Sequence, residues 1–150
     1  MPETHDALRG SRILIVDDVP ANLDVLSNAL EAASYQVQAA PNGEVALRIA
    51  HAAPPDLILL DVRMPGISGY EVCKKLKADT QTAPIPVIFV TAEDQTEDLV
   101  SGFQAGGVDY IAKPFREEEV MMRVHNALYT QYLFNENRAY QAKMERELQT

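Results

Sequence analysis

Arg12-Ile13-Leu14-Ile15-Val16-Asp17-Asp18 is the stretch on which the fold turns. A strand with one wet face alternates apolar and polar residues. An unbroken, β-branched run such as 13–16 predicts instead a strand covered on both faces. It stops abruptly at two acids. The same design returns downstream: Asp56-Leu57-Ile58-Leu59-Leu60 ends in Asp61, and Pro86-Val87-Ile88-Phe89-Val90 ends in Thr91-Ala92. The shorter Asp109-Tyr110-Ile111-Ala112 ends at Lys113-Pro114, whereas Tyr35-Gln36-Val37-Gln38-Ala39 alternates like a half-exposed strand.

Helical patterns fill the intervals. Pro20 suits a first helical turn, and Leu23, Leu26 and Leu30 give the following residues one apolar face. Asn42-Gly43 is a turn before a short helix carrying Val45, Leu47, Ile49 and Ala50, which Pro54-Pro55 stops. The loop Met64-Pro65-Gly66-Ile67-Ser68-Gly69 leads to a helix through Val72 and Leu76. Leu99, Val100 and Phe103 mark a fourth helix, closed by Gly106-Gly107, and a fifth begins at Glu117. Strands alternating with helices imply an α/β fold: a five-stranded parallel sheet, doubly wound, with helices on both faces. In such sheets the ligand site lies beyond the C-terminal strand ends, where the winding reverses. The polar residues that close the strands therefore carry the functional argument.

The bulk composition is compatible. The chain has 150 residues, 47% apolar, enough for one domain with a full core and a modest extension. A formal charge of -9 argues against nucleic acid or an anionic membrane as a direct partner. Cys73 is the single cysteine, so no intrachain disulfide forms and a reducing, cytoplasmic setting is expected. No apolar run reaches the length of a membrane span. His5, His51 and His125 show no ligand spacing, and no P-loop or GxGxxG stands near Gly43.

The closing residues Asp17, Asp18, Asp61, Thr91 and Lys113 should converge on one rim of the sheet. Two like charges about 4 Å apart repel by ~4 kcal/mol at an effective dielectric of about 20. Crowded carboxylates therefore call for a cation, and Mg²⁺, or Mn²⁺, with Lys113 beside it, answers the need with oxygen ligands. A carboxylate can attack phosphorus to form an acyl phosphate, and phosphoryl transfer needs charge neutralisation on the equatorial oxygens more than a strong base. Taken alone, Asp17-Asp18 would serve equally well as a helix cap before Pro20.

The ordered motifs Ile13-Leu-Ile-Val-Asp-Asp, Leu57-Ile-Leu-Leu-Asp-Val-Arg-Met-Pro-Gly, Val90-Thr-Ala and Tyr110-Ile-Ala-Lys-Pro-Phe resemble the response-regulator receiver family over roughly residues 11–128. The resemblance implies a flavodoxin-like strand order, 2-1-3-4-5, and a set of roles. Asp61 is the phosphoacceptor. Asp18, Asp61 and the backbone carbonyl of Arg63 hold Mg²⁺, with Asp17 acting mainly through a metal-bound water. Thr91 and Lys113 bind phosphoryl oxygens, the Lys113-Pro114 bond is cis, and Tyr110 is an aromatic switch coupled to Thr91. It further implies a histidine kinase or phosphotransfer protein as partner, and switching of the face formed by the fourth helix, fifth strand and fifth helix. Self-dephosphorylation is a timer here, so the chain is not read as an enzyme.

Three segments follow: a flexible arm over 1–11, the receiver domain over 12–128 and a helical extension over 129–150. In the extension Leu133, Asn137, Tyr140, Met144 and Leu148 recur at spacings of three or four. That pattern fits either a coiled-coil seam, homodimeric on phosphorylation and leading to a missing C-terminal output domain, or a solvated helix. Arg63 and Glu93, each two residues beyond a site residue, are expected to flank the phosphate and tune its lifetime. Two other readings compete with the switch. An aspartyl phosphatase needs a general acid two residues after its nucleophile, where Arg63 stands. A phosphorylation-independent interaction or dimerisation module would not need the intact acids and lysine.

Overall fold

A computed structural model of the chain describes residues 7–92 and 96–149. Five strands form one parallel sheet: β1 (Arg12–Val16), β2 (Gln36–Ala40), β3 (Leu57–Asp61), β4 (Val87–Ala92) and β5 (Asp109–Lys113). Five helices connect and follow them: α1 (Pro20–Ala32), α2 (Gly43–Ala52), α3 (Gly69–Ala78), α4 (Thr96–Ala105) and α5 (Glu117–Gln149). The order across the sheet is β2-β1-β3-β4-β5, as the family resemblance implied.

The apolar runs are continuous because alternate residues serve opposite cores. Ile13, Ile15, Leu57, Leu59, Ile88, Val90 and Ile111 pack with Leu26 and Leu30 of α1 and with Val120, Val124 and Leu128 of α5. Leu14, Val16, Ile58, Leu60, Val87 and Phe89 point the other way, onto Ala46 and Ala50 of α2 and Val72, Cys73 and Leu76 of α3. Each fully buried aliphatic side chain contributes roughly 1.5–3 kcal/mol. A one-residue register slip would exchange the two cores and is therefore strongly disfavoured. β2, at the sheet edge, is mostly exposed, as its alternation predicted.

Local chemistry sets the helix starts. Asn42 and Ser68 cap α2 and α3 by accepting from the Val45 and Glu71 backbone N–H groups at 2.9 and 3.2 Å. Pro20 opens α1.

The loose arm expected over 1–11 needs correction in its described part. Leu8 is buried in the α1–α5 core, Ser11 Oγ donates to the Leu8 carbonyl at 2.6 Å, and Gly10 N–H donates to Ser34 O at 2.9 Å. One leucine in a polar stretch suffices to seat residues 7–11 against the domain.

At the other end, Val120, Val124 and Leu128 are the buried residues of α5. Every residue from 132 to 149 is exposed, including Leu133, Tyr140, Met144 and Leu148. Deleting residues 138–150 is therefore expected to leave the thermal midpoint of the domain unchanged. A calorimetric Tm that drops on truncation would show that the extension supports the core.

Candidate phosphoacceptor site

All the residues singled out at strand ends stand at the C-terminal edge of the sheet. β1 is flanked by β2 on one side and β3 on the other, so the chain reverses its winding there and opens a crevice. Asp17 and Asp18 follow β1 directly, Asp61 is the last residue of β3, Thr91 lies near the end of β4, and Lys113 closes β5. The register Val16↔Leu60, Asp61↔Val90 and Ala92↔Lys113 keeps these ends level.

Ligand oxygens of Asp17, Asp18 and Asp61 lie within 4.8 Å of one another. Asp17 and Asp61 are buried, while Asp18 is exposed. Lys113 Nζ reaches Asp61 Oδ1 at 3.2 Å and Asp17 Oδ2 at 3.3 Å. Asp17 has further donors: the Val19 backbone N–H at 2.9 Å on Oδ1, and Asn22 Nδ2 at 3.1 Å on Oδ2. Its oxygens are largely committed to protein donors, which suits a part played through water rather than by direct ligation.

Electrostatics follow from this crowding. Burial, reinforced by Asp17 and Asp18, pushes the Asp61 carboxyl from 3.8 up to about 6, against the pull of Lys113. Burial works against the Lys113 ammonium, but Asp61 and Asp17 outweigh it and hold its pKa above the ordinary lysine value. Thr91 Oγ1 is buried and has no hydrogen-bond partner among the described residues. A buried, unpaired hydroxyl is uncommon in native structures and asks for an explanation. An anion with acceptor oxygens beside Asp61 supplies one. The acids, Lys113 and the Thr91 hydroxyl together fit a hard divalent cation completed by a phosphate oxygen.

The remaining positions fall as follows. Arg63 is exposed just past Asp61. The Lys113-Pro114 bond is cis. Tyr110 packs on the α2–α3 side, its ring 5.5 Å from Phe89 and 5.2 Å from Phe103. Glu93, expected to pair with Arg63, lies outside the described residues. His125 stacks on Tyr129 in α5, and Cys73 is buried with Sγ 3.3 Å from Ala105 O; both lie outside the constellation.

Two contributors escaped the sequence reading. Asn22 was only a polar residue near the start of α1, yet its amide braces Asp17. Gly69 was only part of a turn, yet a Cβ there would collide with the Asp61 carbonyl oxygen. The Gly-rich loop was the available signal for so close a backbone approach.

A doubly wound parallel sheet with acids at the C-terminal ends of β1 and β3, a hydroxyl on β4 and a lysine on β5 defines a class of signalling domain. The chain belongs to the response regulator receiver domain family of two-component systems, whose family model it matches over residues 13–125. It is 45% identical over 117 residues to the DNA-binding dual master transcriptional regulator RpaA of Synechocystis, covering 78% of this chain and 48% of that protein. It is 47% identical over 116 residues to a probable cyclic di-GMP phosphodiesterase of Vibrio cholerae, covering 77% of this chain and 26% of that protein. Among solved structures, the receiver domain of sensor histidine kinase PA1611 from Pseudomonas aeruginosa carries a magnesium ion in its active-site cleft. That chain is 33% identical, with a TM-score of 0.74, over 79% of this chain and 98% of that one.

The chain thus spans about half, or less, of the length of these curated relatives. A net charge of -9 does not exclude nucleic acid as a partner, since RpaA is by name DNA-binding. Among the described residues no helix is long and apolar enough to cross a membrane.

Proposed function

We propose that Asp61 accepts a phosphoryl group from the phosphohistidine of a histidine kinase or phosphotransfer protein, and that this cytoplasmic domain is thereby switched. The convergence of three carboxylates, Lys113 and a Thr91 hydroxyl without a partner among the described residues on one edge of the sheet carries this reading. An Asp61 carboxylate oxygen attacks phosphorus, the P–N bond breaks, and its electron pair leaves with the imidazole. Lys113 and Thr91 donate to the phosphoryl oxygens, and Gly69 lets α3 close behind the nucleophile. Asp18, Asp61 and the Arg63 carbonyl would hold Mg²⁺, or Mn²⁺, with Asp17 acting through water. When bound, the cation offsets the crowded acids and neutralises charge on the transferring group.

The phosphate adds about -1.5 to -2 charge at the edge. Thr91 and Lys113 are drawn to it, Tyr110 follows, and the α4–β5–α5 face changes. The extension beyond residue 128 then carries the change, as a homodimeric coiled coil, toward an output domain. Incubation with Mg²⁺ and acetyl phosphate tests the reading: intact mass should rise by one alkali-labile phosphoryl group. A chain whose mass never changes would end it.

Mg²⁺ affinity should also depend on pH in a defined sense. Metal binding needs the Asp61 carboxylate, and the metal-free carboxyl titrates at about 6. Below that pH one proton must leave for each ion bound, so affinity falls about tenfold per pH unit; above it the curve flattens. Calorimetric titrations from pH 5 to 8 should show this break. A flat profile would contradict it.

A further inference from the structure

Gly102 stands inside α4, where glycine is less favourable than alanine and no turn requires it. Its surroundings explain it. A Cβ built on Gly102 would overlap Tyr110 Oη outright, and would lie 2.7 Å from Tyr110 Cζ and 3.0 Å from Phe89 Cδ2. The tyrosine's hydroxyl end thus sits in the hollow left by the missing side chain. Gly107, whose N–H donates to the Gly102 carbonyl at 2.9 Å, extends the hollow. A Cβ there would collide with Phe89 Cε2. Phe89 and Tyr110 are direct cross-strand partners in β4 and β5. Thr91 follows Phe89 by two residues and so shares its face, on the diagonal to Tyr110. The rings of Tyr70, Phe89, Tyr110 and Phe103 form a continuous row, with successive centroids 5.1, 5.5 and 5.2 Å apart.

We infer that Gly102 is the seat of the inward-packed Tyr110 and so sets the resting balance of the switch: any side chain at 102 evicts the ring and uncouples it from Thr91. The inference rests on the proposal that phosphorylation at Asp61 acts through Tyr110. It adds a residue on α4, outside the strand-end constellation, that fixes which ring position is open.

A double-mutant cycle tests the seat. In a helix interior without steric conflict, Gly→Ala raises Tm. Gly102→Ala should instead lower Tm in the wild-type background, and should do so far less, or raise it, in Tyr110→Ala. A Gly102→Ala shift equal in both backgrounds, whatever its sign, overturns the inference. The switch is tested separately in protein labelled with 3-fluorotyrosine, the Tyr110 resonance being assigned by its loss in Tyr110→Phe. Beryllofluoride with Mg²⁺ should move this resonance in wild type and leave it at its displaced position in Gly102→Ala. A wild type that responds together with a variant that responds equally sinks the role of Gly102. A wild type that does not respond sinks the coupling of Tyr110 to the Asp61 site, and with it the switch role of Gly102; intact mass still decides phosphorylation, and the cycle still decides the seat.

Discussion

Asp61→Asn protein is expected to gain no phosphoryl group under conditions that load the wild type, and yet to be the more stable of the two at pH 7 without metal. The first effect is complete, because an amide is neither the nucleophile nor an anionic ligand. The second follows from the titration of the buried acid. Folding raises the Asp61 carboxyl from 3.8 to about 6, so the folded state holds that proton more tightly than the unfolded chain. Below about pH 4 both states are protonated and the group is neutral toward folding. As pH rises toward 6 the unfolded chain ionises first and stability falls; above 6 the penalty is full, at most about 3 kcal/mol. Asparagine carries no such penalty. Thermal melts in chelator from pH 4 to 8 should show a gap between variant and wild type that opens with pH. A gap that stays constant, or a less stable variant at pH 7, would refute the electrostatic account.

Lys113→Met removes the cation that touches both buried acids, at 3.2 Å on Asp61 and 3.3 Å on Asp17. Loss of one partner from a buried charge group usually costs several kcal/mol. Asp61 can limit the cost by taking up a proton. We therefore expect a loss of roughly 2 kcal/mol at pH 7 in chelator, larger at pH 8 than at pH 6. Millimolar Mg²⁺ should recover much of it, since a divalent ion answers the same negative charge. Phosphorylation should not recover, because the ammonium is also a donor to the phosphoryl oxygens. Melts with and without Mg²⁺ separate these outcomes; a deficit that the metal leaves untouched would mean that Lys113 supports the fold by packing alone.

The architecture was legible because the apolar runs of β1, β3 and β4 are unbroken and each ends in a polar residue. A parallel sheet has all its strands running one way, so residues closing separate strands must meet at one edge. Asp17, Asp18, Asp61, Thr91 and Lys113 were found by that argument alone. What stayed hidden depends on how close two distant segments come. Leu8 lies among polar residues, and nothing local says that it packs beside Leu128. Gly69 reads as turn filler, and Gly102 gives no signal at all, until the Asp61 carbonyl and the Tyr110 ring are brought against them. Asn22 braces Asp17 through a side-chain amide with no periodic signature. Spacing reports the order of groups along the chain; contact distance is a property of the packed whole.

Between Glu117 and Gln149 there is neither glycine nor proline, so α5 lacks the usual points of bending. Its first third is clamped between sheet and α1, and residues 132–149 project about 27 Å beyond at 1.5 Å each. Such a rod works as a lever. A tilt of about 10° at the clamp swings the free tip by roughly 5 Å, so rearrangements too small to notice at the base arrive magnified at the far end.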